Sequence, residues 1–160
     1  MPWISQEFDK LVQESKSLVK KEFPDITFDW PVFIASKDEM DIAIIKELKD
    51  LNYSKRQIED VVNYFLPYLI GKYFAQTNEI WVLQMKGENL DTIVHELLHS
   101  IQKCKPHRES IVNYLTFKIT GEKNYINDNL RKDWEEIEKN TSYQRIKNKL
   151  LSEGDCEEIE

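Results

Sequence analysis

Apolar residues recur at helical spacing along most of the chain, and at strand-like spacing in short stretches near its middle. Ile4, Phe8, Leu11, Val12, Ser15, Leu18 and Val19 share one face and predict a helix over 4–21, ended by Phe23-Pro24-Asp25. Ile26 to Trp30 alternates apolar and polar residues, which predicts a strand, and Val32-Phe33-Ile34-Ala35 has the continuous apolar run of a buried one. Ser36 or Asp38 can cap a helix over 38–51 with Met40, Ile44, Ile45 and Leu48 inward. Ser54 with Gln57 three residues on is a capping box, and predicts a helix whose face is Ile58, Val61, Val62, Phe65 and Leu66, with Pro67 near its end. Gly71 to Ala75 and Glu79 to Met85 read as two strands of a hairpin turned at Gln76-Thr77-Asn78.

Beyond Lys86-Gly87-Glu88 the period returns to that of a helix. Ile93, Val94, Leu97, Leu98 and Ile101 form a broad apolar stripe, with His95, His99 and Gln102 on the adjoining face. Asp91 reads as the N-cap, and Pro106 sets the far limit, because proline cannot continue the hydrogen-bond ladder. A helix follows over 107–119, with Ile111, Val112, Leu115 and Ile119 inward and Gly121 at its end. Two more are predicted over about 127–139 (Leu130, Trp134, Ile137) and 142–152 (Tyr143, Ile146, Leu150, Leu151). The pattern is that of one α+β domain over 1–160: an N-terminal helix, a core at 26–121 with about three to four strands, a helical extension at 125–152 and an acidic tail at 153–160.

Composition narrows the function classes. A net charge of -7 disfavours nucleic acid and anionic membrane as partners. No apolar run approaches the ~20 residues of a membrane span, and the start lacks a basic region followed by an apolar one, so a cytoplasmic location is the expectation. The two cysteines, Cys104 and Cys156, do not make a disulfide framework. Cys104 reads as a small apolar filler, and the last seven residues read as loose.

The chemistry lies in His95-Glu96-Leu97-Leu98-His99. Residues four apart share a helix face, so the two imidazoles can meet at one point and serve one zinc ion as two corners of a tetrahedron. Glu96 stands beside that point, where a carboxylate can take a proton from metal-bound water. The bland alternative is a pair of histidines on an amphipathic helix. A third ligand is needed, and the downstream choices are Glu109, His107 and Glu122. In a helical hairpin turning near Cys104, Glu109 comes opposite His99; His107 lies nearer the turn but within reach. Glu122 would lie about 27 Å along a continuous helix. Glu109 is therefore the first choice and His107 the alternative, although Glu109 also suits the first turn of a helix on dipole grounds alone. Tyr114, Tyr125 and His107 are candidates for an oxyanion donor, and Asn113 for a residue that orients a histidine.

Glu79 to Leu83, a loop, and Val94-His95-Glu96-Leu97-Leu98-His99 resemble the zincin metallopeptidases; Glu109-Ser110-Ile111-Val112-Asn113 is similar to the glutamate helix of the gluzincin branch. The likeness covers about 71–120 and resembles the minimal gluzincins in brevity. It implies a zincin-like fold, one Zn2+, a peptide or protein substrate, His95, His99 and Glu109 as ligands, Glu96 as general base, and the 79–85 strand at a sheet edge above the cleft. Ten residues separate His99 from Glu109, fewer than in many gluzincins, and Lys105 stands where the metzincin pattern has its third histidine. The implied function is a zinc-dependent peptidase. The alternative is a catalytically silent or latent zinc-binding regulatory or interaction protein of the same fold, its metal capped by the Cys156 thiolate.

Overall fold

The structure, a computed structural model, describes residues 2–105, 109–121 and 128–156, the side chains at 128–131, 133 and 134 excepted. Among them are seven helices and one three-stranded sheet, an α+β arrangement. Helix α1 spans Gln6–Glu22 and is capped by Ser5, which accepts the Phe8 amide. Strand β1 is Val32–Ala35. Helices α2 (Lys37–Asp50) and α3 (Lys55–Tyr64) each start in a capping box, Ser36 with Glu39 and Ser54 with Gln57. Strands β2 (Gly71–Phe74) and β3 (Glu79–Leu83) form the hairpin. Then come α4 (Leu90–Ile101), α5 (Glu109–Thr120), α6 (Asp128–Asn140) and α7 (Tyr143–Leu151). Gly121, at φ 72°, ends α5 in the left-handed conformation that glycine adopts without strain. No helix among the described residues is long and apolar enough to cross a membrane.

The strand order is β1-β3-β2, with β1 parallel and β2 antiparallel to β3. Strand β3 is thus central rather than the edge strand expected from the resemblance, and β2 takes the position beside α4. Trp3 adds one antiparallel bridge on the outer side of β1, exchanging both backbone bonds with Ile34 at 2.9 and 2.7 Å. The predicted 26–30 strand does not form; that segment runs without regular structure into Pro31. Its alternation reflects Phe28 reaching into the core, where an irregular segment can bury a side chain as a strand does.

Alternate residues of the sheet face two cores. Val32, Ile34, Ile80 and Val82 join α1, α4, α5 and α7 in the larger one, while Ala35, Phe74, Trp81 and Leu83 meet α2 and the 3-10 turn Leu66–Tyr68 in the smaller. Helix α3 is more exposed than its apolar pattern predicts: Val62 is exposed, Phe65 is 64% exposed, and only the following Leu66 is buried. Helix α4 is the centre of the larger core. Ile93, Val94, Leu97 and Leu98 are fully buried, and truncating one such leucine to alanine costs about 2–5 kcal/mol.

The C-terminal segment is docked, contrary to the expectation of a loose tail. Cys104 and Cys156 form a disulfide with Cα atoms 4.9 Å apart, both fully buried. Lys105 N donates to Gly154 O at 3.0 Å, and Cys156 N donates to Lys105 O at 3.2 Å. A pair 52 residues apart carries no local signal, because its ends meet only after α5 to α7 have brought the chain back to the end of α4. The expectations for His107, Glu122 and Tyr125, for the limit at Pro106 and for residues 157–160 lie outside the described residues, as do the side chains of Leu130 and Trp134.

Candidate metal centre

Helix α4 starts two residues earlier than Asp91 would set it. Asn89 is the N-cap, and its side chain accepts the Thr92 amide at 2.9 Å. Asp91 falls in the first turn, 1% exposed, where a negative charge complements the exposed amide end of the helix. The loop before it is held tightly. A Cβ on Gly87 would run into the Ile70 carbonyl oxygen and the Leu83 backbone, so only glycine lets the chain pass there. The helix ends at Ile101 with Gln102 as its C-cap, well before residue 106.

Because α4 is buried around most of its circumference, its two histidines are held inside the protein, His95 at 6% exposure and His99 at a half-buried position. Their rings meet edge to face with centroids 4.8 Å apart. Glu109, the first residue of α5, spans both. Its Oε2 is 2.9 Å from His95 Nε2 and its Oε1 is 3.0 Å from His99 Nε2. One ligand atom from each of the three residues lies within 4.8 Å of the others, so this group could hold a metal ion, and it is the one such cluster among the described residues. The donor set, two imidazole nitrogens and a carboxylate oxygen, is of the kind that zinc takes. Of the third-ligand choices, Glu109 is the one among the described residues, and it meets both histidines.

The electrostatics are those of a coupled cluster. Burial pushes the Glu109 carboxyl up, but the hydrogen bonds from His95 and His99 and their charges outweigh it and hold the group well below the usual carboxylate range. Burial pushes His99 down; the hydrogen bond to Glu109, the charges of Glu96 and Glu109 and the contact with Gln102 reverse this and raise it. The Glu109 side chain keeps 63% of its accessible surface although both of its oxygens touch enclosed rings, which leaves an approach from solvent on its side.

Glu96 is 8% exposed and lies beneath β2. A Cβ on Gly71 would come within 3.1 Å of Glu96 Cγ and 2.9 Å of the Thr92 methyl, so the absence of a side chain at Gly71 makes room for the carboxylate. Asn113, one turn along α5 from Glu109, is buried with its Oδ1 unpartnered among the described residues. Tyr114 belongs to the larger core at 2% exposure. Cys156 is committed to the disulfide and does not cap the metal group.

Two partners escaped the sequence reading. Gln102, three residues after His99, places its Oε1 2.9 Å from His99 Nδ1; the i,i+3 spacing was the available signal. Gly71 is far from the motif in sequence and meets Glu96 only through the packing of β2 on α4. Searches of family models, curated proteins and solved structures return no match to this chain.

Proposed function

We propose that the chain is a zinc-dependent peptidase in which His95, His99 and Glu109 hold one Zn2+ and Glu96 is the general base. The observation that carries this reading is the convergence of two imidazole Nε2 atoms on one carboxylate at 2.9 and 3.0 Å. It occurs on the helix that also carries a buried glutamate next to the first histidine. A zinc ion bound there supplies Lewis acidity, lowering the pKa of a water toward neutrality and polarising a scissile carbonyl.

The residues of this chain then divide the work. His95 and His99 fix two directions of ligation because α4 cannot rotate within its core. Glu109 balances part of the dication's charge. Glu96, sheltered under β2, accepts the proton of the attacking water and returns it to the leaving amine. An extended peptide has a flank to lie along: the outer side of β2 has no strand partner among the described residues, and backbone pairing there would place the substrate over α4.

The test joins metal analysis to turnover. Remetallated wild type should hold one zinc per chain and cleave an unstructured protein substrate. Glu96→Gln should keep the zinc and lose about 10²–10⁴-fold in rate. A wild type that binds no zinc overturns the metal centre; a Glu96→Gln variant of undiminished activity overturns the general base.

A further inference from the structure

Gln102 touches the metal group with one end of its carboxamide and the disulfide with the other. Its Oε1 lies 2.9 Å from His99 Nδ1, while its Nε2 donates to Cys156 Sγ at 3.2 Å and to Cys104 Sγ at 3.5 Å. A carboxamide has one accepting end and one donating end, and disulfide sulfurs can only accept. The sulfurs therefore take the donating end, and the accepting end is left for His99. His99 then carries a proton on Nδ1, and Nε2, which faces Glu109 at 3.0 Å and donates to it in the metal-free cluster, is the nitrogen left to a cation once its own proton has gone. Turning the amide over would set donor against donor at the ring and acceptor against acceptor at the sulfurs. Gln102 is 8% exposed, so water does not readily replace either contact.

We infer that Gln102 is a positioning residue for His99, that the Cys104–Cys156 disulfide sets its orientation, and that the cation affinity of the site therefore depends on the redox state of the cysteine pair. The inference rests on reading His95, His99 and Glu109 as a metal centre. The switching step is thiol–disulfide exchange with a dithiol reductant. One reductant thiolate attacks a protein sulfur, forms a mixed disulfide and releases the other cysteine as a thiolate that takes up a proton. The second reductant thiol breaks the mixed disulfide. Two electrons and two protons pass to the protein, and the reductant ends as its own disulfide. Each product thiol is a donor as well as a weak acceptor, so an S–H can compete with His99 for Gln102 Oε1. The 154–156 segment keeps its backbone bonds to Lys105.

The experiment measures zinc affinity by chelator competition, and the cobalt(II) absorption spectrum, on the full chain. Oxidised wild type, wild type reduced with a phosphine (which ends as the phosphine oxide), Cys104→Ser/Cys156→Ser, Gln102→Ala and Gln102→Glu are compared. Loss of a partner that orients a ligand weakens binding about 10–100-fold, and this is the loss expected for oxidised Gln102→Ala. Reduced wild type and the double serine variant should move toward that value with a changed cobalt spectrum, while Gln102→Ala should not respond to reduction. Gln102→Glu sets an acceptor against the disulfide sulfurs but keeps one for His99 whichever way the carboxyl turns, so its affinity should not fall on reduction. Reduced wild type makes the comparison without any substitution, should the serine variant fail to fold. Equal affinity of oxidised and reduced wild type overturns the inference alone, as does a Gln102→Ala variant that weakens on reduction as wild type does. An oxidised wild type that binds no metal overturns both the inference and the reading beneath it.

Discussion

Gly71 yields its side-chain space to Glu96. A Cβ at Gly71 would stand 3.1 Å from Glu96 Cγ and 3.3 Å from Glu96 Oε1, and 2.9 Å from the Thr92 methyl. Gly71→Ala must therefore move the carboxylate or push β2 off α4. The expected result is full zinc content with turnover reduced by a substantial part of the ~10²–10⁴-fold that a general base contributes. Peptidase rate and metal content measured on one preparation check it; undiminished turnover would mean that Glu96 does not work from this position.

Glu109 draws its place in the site from contacts with both histidines at 2.9 and 3.0 Å. Glu109→Ala should reduce zinc occupancy sharply, and Glu109→Gln, which keeps an oxygen donor without the charge, should fall between. Chelator-treated wild type should remain folded, because α4 is buried through Ile93, Val94, Leu97 and Leu98 independently of the metal group. Circular dichroism before and after chelation tests the second point, and metal analysis of the two variants tests the first.

The same cluster sets opposite pH trends for folding and for metal binding. Glu109 titrates below its ordinary 4.5, so its contribution to metal-free stability is present above that value and is lost as pH falls through the lowered one. His99 titrates above its ordinary 6.5, so its contribution is complete below 6.5 and is lost as pH rises through the raised value. The cluster should stabilise the metal-free protein most between about 4.5 and 6.5. Zinc needs the lone pair, so its binding should strengthen as pH rises through the His99 value, with proton release. Denaturation of metal-free protein and calorimetric zinc titrations across that range would separate the two slopes; parallel slopes would contradict the coupling.

The disulfide closes a separation of 52 residues, which in the chain-entropy account stabilises the fold by about 4 kcal/mol. Cys104→Ala/Cys156→Ala should lower the unfolding free energy by up to that amount, with little change in secondary structure. Urea unfolding of oxidised, reduced and substituted protein measures it. A reduced protein as stable as the oxidised one would show that strain in the native state offsets the cross-link.

Local signals in the sequence carried most of the secondary structure. The boxes at Ser36 and Ser54, the β-branched run at Glu79–Leu83 and the glycine at 121 each specify a boundary through neighbours within a few residues. The His95–His99–Glu109 cluster was legible for the same reason. His95 and His99 are one helical turn apart, and Glu109 follows from a short connection between α4 and α5. What was lost depends on distant packing. Asn89 displaced Asp91 as the cap, its side chain accepting the Thr92 amide and donating to the Lys86 carbonyl. Phe28 is buried by a segment that makes no strand, and Phe65 is exposed where its helical phase would bury it. The cysteine pair and the Gly71–Glu96 contact join parts of the chain that no window of sequence spans.

Trp3 has a consequence for association. By exchanging two backbone bonds with Ile34 it blocks the outer side of β1 at that residue, so among the described residues β2 is the flank that carries no such bridge. A second molecule joining there would lay β2 against β2 and consume both free flanks, closing a pair. An endless ribbon requires two sticky sides on every copy, and one tryptophan near the start of the chain removes the second.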